Sequence, residues 1–253
     1  MNVFLSERTP DARPAAVLWD MDGTLIDSEP LWLDAELSML GRYGIELTSE
    51  ISDSLVGSGL RAAASRFQEL GVPLGIDEII SEWTTKVIAG LAESAPLWRP
   101  GAVELLQSLR AAGIPSALVT MAVREIADAV VALLPGELFV AVLGGDEVEH
   151  EKPHADPYLR GANLIGVEIT ECVALEDSIT GVHSAHAAGA IAIGIPNLLD
   201  LSNAPAHEIW PTLEGVDADR LTARYLALRG AVSAHEDSVT PSPSANTETG
   251  VQQ

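Results

Sequence analysis

The sequence predicts an α/β fold: a doubly wound parallel sheet with an α-helical domain inserted after its first strand. Three observations predict it. Five apolar runs of strand length, Ala15–Trp19, Ile114–Val119, Leu138–Leu143, Cys172–Leu175 and Ala190–Ile195, are near-continuous rather than alternating, as in strands covered on both faces of a parallel sheet. Helical periodicity fills the intervals between them, with Ala102, Leu105, Leu106 and Leu109 in one and Val123, Ile126, Val130 and Leu133 in the next, which is the alternation of a doubly wound sheet. Finally, about eighty residues separate the first strand from the helix opening at Pro100-Gly101, far more than a crossover helix needs.

The first strand ends in Asp20-Met21-Asp22-Gly23-Thr24. Two carboxylates one residue apart at a buried strand terminus cost stability unless a cation or a reaction needs them. The long interval that follows places Leu31, Leu33, Leu37, Leu40, Trp83, Val87, Ile88 and Leu91 at helix-compatible spacing. Residues 28–97 are therefore read as a helical cap, hinged near Asp27–Glu29 and Trp98–Arg99. It would lie over the carboxyl end of the first strand as a lid, with Trp32, Trp83 and Trp98 packing its core and hinge. Within it, Gly57-Ser58-Gly59-Leu60-Arg61 reads as a flexible basic loop, and Arg61 and Trp32 are candidates for substrate selection.

The catalytic core would comprise residues 14–27 and 98–230. Its second strand ends in Thr120, Lys152 opens a helix from the loop His150-Glu151-Lys152-Pro153-His154, and the fourth strand ends in Glu176-Asp177. His183 and His186 face no partner acids and are not read as ligands. Residues 1–13 read as a flexible N-terminus. Residues 231–253, rich in Ser, Thr, Pro, Glu and Gln towards their end, read as a disordered tail.

Composition narrows the function. With 14 basic against 37 acidic residues the formal charge is −23, which argues against nucleic acid as a partner. No apolar run reaches the eighteen or so residues of a membrane helix, and Met1 to Pro14 carry no secretory pattern. The one cysteine, Cys172, excludes an intrachain disulfide and a multi-cysteine metal site. A cytoplasmic monomer or small homo-oligomer is the expectation. An anionic substrate would be repelled by the global field, so the site must concentrate positive charge locally, and a metal ion would do so.

Ligands of open parallel sheets bind beyond the carboxyl ends of the strands. If these strands are neighbours, Asp20, Asp22, Glu176 and Asp177 converge there with Thr120 and Lys152. Carboxylates so crowded need a cation or protons among them, and a hard oxygen set suits Mg2+.

These segments resemble the four motifs of the haloacid dehalogenase-like (HAD) hydrolase superfamily, in the order that family uses. The insert is similar to the helical cap of its phosphoglycolate phosphatase and β-phosphoglucomutase branch. Asp27-Ser28-Glu29-Pro30-Leu31-Trp32, Lys152-Pro153-His154 and Cys172–Ser178 look most like bacterial hexitol and 2-deoxyglucose-6-phosphate phosphatases. The resemblance implies a HAD-like Rossmannoid core and a Mg2+-dependent phosphatase of small phosphorylated metabolites, sugar or sugar-alcohol phosphates, acting through an aspartyl-phosphate. It implies Asp20 as nucleophile, Asp22 as general acid and base, and phosphate contacts from Thr120, Lys152, Gly23 and Thr24. Mg2+ would be held by Asp20, Asp22 through its carbonyl, and Asp177, with Glu176 a ligand or a partner behind them.

Two departures from the family pattern stand out. Met121-Ala122 replace the small polar pair many relatives carry after the threonine, and Trp32 and Glu82 stand where the mutases use a histidine and a lysine. The second departure favours water as phosphoryl acceptor. The alternatives are a phosphosugar mutase and a catalytically silent sugar-phosphate-binding protein.

Overall fold

The computed structural model describes residues 13–48, 51, 59–93 and 95–239. The expected flexible residues 1–12, the loop residues Gly57 and Ser58 and the tail from 240 onwards lie outside the described residues. In chain order the elements are β1 (Ala16–Trp19), α1 (Glu29–Arg42), α2 (Leu60–Glu69), α3 (Ile76–Glu93), α4 (Ala102–Ala111), β2 (Ser116–Val119), α5 (Arg124–Ala132), β3 (Ala141–Leu143), α6 (Asp156–Leu164), β4 (Cys172–Glu176), α7 (Ile179–Ala188), β5 (Ile191–Gly194), β6 (Glu208–Ile209) and α8 (Ala218–Val239).

Among the described residues the strands form one sheet in the order β3-β2-β1-β4-β5-β6, every pairing parallel. β1 is central, with Trp19 in register with Leu118 of β2 and Leu175 of β4. All five expected strands exist, though only the last three residues of Leu138–Leu143 pair. The short edge strand β6 carries no apolar run and was not anticipated. Helix α8 runs to Val239, so the first part of the segment expected to be disordered is helical. The physical reason is an anchor at the helix start, where Leu221 and Tyr225 are buried in the core.

The alternation of side chains across each strand divides the core in two. Val17, Trp19, Leu118, Val173, Leu175 and Ile193 point to one face, which is packed by Leu105 and Leu109 of α4, Ile126 of α5 and Leu221 of α8. Ala16, Leu18, Ala117, Val119, Ala174 and Ala192 point to the other, under Tyr158 of α6 and Val182 and Ala185 of α7. The second face is largely alanine, which lets its helices approach closely. Gly161 of α6 shows how closely, since a Cβ there would meet the Val119 side chain. Both faces are covered by packed helices, which accounts for strands that read as uninterrupted apolar runs.

The segment after β1 is helical as expected. Helices α1 and α2 both pack on α3, burying Met39, Leu40, Phe67, Trp83, Val87 and Leu91. Phe67 and Trp83 meet edge to face, with centroids 4.7 Å apart. The two ends of the segment run side by side, because Ile26 bridges Trp98, the Asp27 N–H donates to the Leu97 carbonyl at 2.8 Å, and the Arg99 N–H donates to the Leu25 carbonyl at 2.9 Å. Leu33 and Leu37 belong to the periodic pattern but stay exposed. Arg61 sits in the first turn of α2, not in a loop.

Candidate active site

Parallel pairing of β2, β1 and β4 brings three strand ends to one edge, and with them Asp20, Thr120 and Glu176-Asp177. The centre of the site is Lys152, from the loop before α6. Its ammonium donates to Asp20 Oδ1 at 2.8 Å, to Glu176 Oε1 at 2.6 Å and to the Val119 carbonyl at 3.0 Å. The lysine side chain is 4% exposed and that of Glu176 is completely buried. Burial works against the ammonium, but Asp20 and Glu176 outweigh it and hold its pKa above the usual lysine value. This is a fixed positive charge.

Glu176 is the post behind that charge. Its Oε1 also accepts from the Tyr158 hydroxyl at 2.6 Å, and its Oε2 accepts from the Ser178 hydroxyl at 3.1 Å. The Ser178 hydroxyl in turn accepts the Gly181 N–H at 3.0 Å, capping α7. Only glycine fits at position 181, because a Cβ would collide with the Glu176 carboxylate. Tyr158 and the Val119 carbonyl were not foreseen. A tyrosine six residues past the lysine carries no sequence signal until the helix is docked on the sheet.

Asp20, Glu176 and Asp177 each offer a carboxylate oxygen, and the three oxygens lie within 4.8 Å of one another. Lys152 occupies one oxygen of Asp20, and the other, Oδ2, is buried with no hydrogen-bond partner. Burial, and then Glu176, push Asp20 up to about 7 despite the opposing lysine. Asp177 is likewise raised well above the ordinary range, by burial and then by Asp20, Glu176 and Asp22. A cation among such crowded carboxyls would favour their ionised form. An orphaned buried oxygen among hard oxygen donors fits a divalent metal ion.

Asp22 stands apart from that cluster. Its Oδ1 accepts from the Ser28 hydroxyl and, at 3.0 Å, from the Trp32 indole N–H, while its Oδ2 accepts a long 3.4 Å bond from Thr120. Ser28 and Trp32 belong to the start of α1, so the entry of the helical segment holds this acid. Gly23, at φ +84°, makes the turn that follows the two acids, and a Cβ there would strike the Asp177 carboxylate. Thr24 is fully buried with its hydroxyl unpartnered. Thr120 is buried too, accepting the Ala122 N–H at 3.0 Å, so the Met121-Ala122 turn is braced by the threonine.

A cavity of about 260 Å³ opens over these groups, lined at its base by Asp20, Asp22, Gly23, Lys152 and Asp177 and roofed by α1. Trp32 lines it. Arg61 does not: it is exposed and paired with Asp77 at 2.9 Å. Glu82, in place of the mutases' lysine, pairs with Arg42 at 2.7 Å on the outer surface.

A carboxylate with one unpartnered oxygen, a buried ammonium and an acidic cluster meet at the carboxyl edge of a parallel sheet, an arrangement compatible with hydrolysis of phosphate esters. The family model of the haloacid dehalogenase-like hydrolases matches residues 17–195. The chain belongs to that family, and it is a phosphatase. The bifunctional riboflavin kinase/FMN phosphatase of Arabidopsis thaliana is 31% identical over 73% of this chain and 49% of its own length, so the chain spans about half of that relative. Fructose-1-phosphate phosphatase YqaB of Escherichia coli (strain K12) is 34% identical over 72% of this chain and 97% of its own length. The crystal structure of CbbY from Rhodobacter sphaeroides in complex with phosphate superposes with a TM-score of 0.74 at 27% identity, covering 82% of this chain and 99% of that one.

Proposed function

We propose that the protein is a Mg2+-dependent phosphatase of small sugar or sugar-alcohol monophosphates, with residues 28–97 serving as its cap. The observation that carries this reading is the buried Asp20 carboxylate, one oxygen held by Lys152 and the other without a partner, beside Asp177. Asp20 attacks phosphorus. An Asp20–phosphorus bond forms as the ester P–O bond breaks, and Asp22 gives its proton to the departing alkoxide. Water then attacks the aspartyl-phosphate, returns a proton to Asp22, frees inorganic phosphate and restores the Asp20 carboxylate. Lys152 offsets the phosphoryl charge throughout, while Glu176, Tyr158 and the Val119 carbonyl hold the ammonium in place. The Gly23 and Thr24 N–H groups, expected to contact phosphoryl oxygens, instead donate to the Ile26 and Met21 carbonyls at 2.8 and 3.3 Å, so this turn shapes the site, and Thr120 shapes the facing turn. Asp20, Asp177 and the Asp22 carbonyl would hold Mg2+, with Glu176 behind them. When bound, the ion supplies charge neutralisation for the carboxylates and the phosphoryl oxygens. Trp32 and Ser28 fix where Asp22 points, so movement of the cap bears directly on the acid.

Trp32 and the surface-paired Glu82, in place of the mutases' histidine and lysine, favour water over a second sugar as acceptor. A single buried thiol, at Cys172, suits a reducing cytoplasm. Mg2+-dependent phosphate release from para-nitrophenyl phosphate, lost in Asp20→Asn, tests the mechanism. Full activity in that variant would overturn it.

A further inference from the structure

An anion at the base of the cavity needs hydrogen-bond donors, and among the described residues lining it nearly every side-chain donor is already committed. Met121 and Ala122 bring none. An ammonium has three hydrogens, and those of Lys152 go to Asp20, Glu176 and the Val119 carbonyl. The Trp32 indole N–H is spent on Asp22, and the Ser178 hydroxyl on Glu176. With its one hydrogen so placed, Ser178 can only accept from Thr180, 3.4 Å away. The Trp83 indole nitrogen is sealed from solvent. That leaves Asn197, in the loop after β5. It lines the cavity half-buried, its amide is open to solvent, and it forms no hydrogen bond with the described residues.

The two residues before Asn197 are tied down. The Ile195 N–H donates to the Glu176 carbonyl at 2.6 Å, and the Pro196 carbonyl accepts from Arg99 Nη2 at 3.3 Å. A Cβ placed on Gly23 would meet the Asp177 carboxylate and stand 3.2 Å from Asn197 Nδ2. The amide and that carboxylate therefore lie over the same glycine, one residue past Asp22. Resting on the proposed phosphatase reading, we infer that the Asn197 amide donates a hydrogen bond to a phosphoryl oxygen, supplying the polar contact that Met121-Ala122 leave out. An uncharged donor suits that place. A lysine or arginine beside Asp177 would compete with a divalent cation for the carboxylate, whereas an amide N–H adds no charge. The bond goes to the group every ester shares, so its strength does not depend on the leaving group.

The test titrates inorganic phosphate calorimetrically in saturating Mg2+, and Mg2+ alone, into wild type, Asn197→Ala and Asn197→Asp. It also compares their kcat/KM for para-nitrophenyl phosphate and sorbitol 6-phosphate. In Asn197→Ala, phosphate should bind at least about fivefold more weakly. The kcat/KM of both esters should fall at least about fivefold, by factors equal within about twofold. Mg2+ affinity should stay within about twofold of wild type, which also shows that the variant is folded. Asn197→Asp keeps the shape but puts an acceptor in place of the donor, and it should weaken phosphate more than alanine does. Phosphate bound by either variant as tightly as by wild type would overturn the inference. So would a loss confined to the sorbitol ester, which marks a leaving-group contact, or a parallel loss of Mg2+ affinity, which marks a partner of the metal. Each of these leaves the phosphatase reading standing. No Mg2+-dependent phosphate release from either ester by wild type would overturn both.

Discussion

Replacing Lys152 by methionine isolates its charge, because the side-chain volume is nearly conserved and no large cavity opens. Lys152 bridges two carboxylates, at 2.8 Å from Asp20 and 2.6 Å from Glu176. Its own side chain is 4% exposed, against 11% for Asp20 and none for Glu176. Taking away one partner of a buried pair costs about 3–5 kcal/mol, because the abandoned charge stays desolvated. With a urea m-value of about 3 kcal/mol per M, that moves the unfolding midpoint down by roughly 1–2 M. Urea titration at pH 7.5 without divalent cations, followed by tryptophan fluorescence, reads it. The double variant Lys152→Met/Glu176→Gln should recover part of the loss. It removes one of the two stranded carboxylates, so the pair couples by about 1–3 kcal/mol. A loss below about 1 kcal/mol at unchanged m, or strict additivity in the cycle, would refute the view that Lys152 neutralises two buried acids.

Other outcomes follow from the same geometry. Asp20, raised to about 7, and Asp177, also raised, hold more protons in the folded than in the unfolded chain. Their contribution to stability is therefore present below the ordinary carboxylate range and lost as pH rises, for Asp20 through about 7 and for Asp177 above that ordinary range. Mg2+ should reverse that loss, so differential scanning calorimetry should show a larger Mg2+-induced rise in Tm at pH 8 than at pH 5.5. An equal rise at both would contradict competition between protons and metal. Gly23→Ala forces a Cβ onto the Asp177 carboxylate at a positive φ, and Mg2+ affinity by isothermal titration should fall at least roughly tenfold. Trp32→Phe keeps an aromatic, though smaller, side chain but loses the 3.0 Å bond to Asp22. It should lower kcat about 3- to 30-fold in steady-state assays, with stability changed by less than about 1.5 kcal/mol.

Much of this molecule is local in the chain and could be read there. A parallel strand covered on both faces must be apolar along its whole length, so β1, β2, β4 and β5 were visible as runs, and acids placed directly after such runs had to lie at the sheet edge. The excess length between β1 and α4 likewise demanded an inserted helical segment. What could not be read is whatever depends on an angle or a contact between distant segments. β6 has two residues and no pattern. Arg61 looked like a cavity residue because a basic group after glycines suggests a loop, whereas its helix carries it out to Asp77. Helix α8 extended beyond expectation because two buried side chains anchor a stretch whose composition alone would leave it unfolded.

The order of apolar runs, and the acids and threonine that end them, determined from one dimension the class of fold and which acids gather at the sheet edge. Side-chain periodicity and chain continuity are properties of the sequence itself. Tertiary structure alone decided that one ammonium would satisfy Asp20 and Glu176 together, that Tyr158 would brace them, and that Trp32 of α1 would bond Asp22. Each of these needs two elements far apart in the chain to be docked within hydrogen-bonding distance. That docking is set by how small residues such as Ala174 and Gly161 let the layers close, which no local pattern encodes.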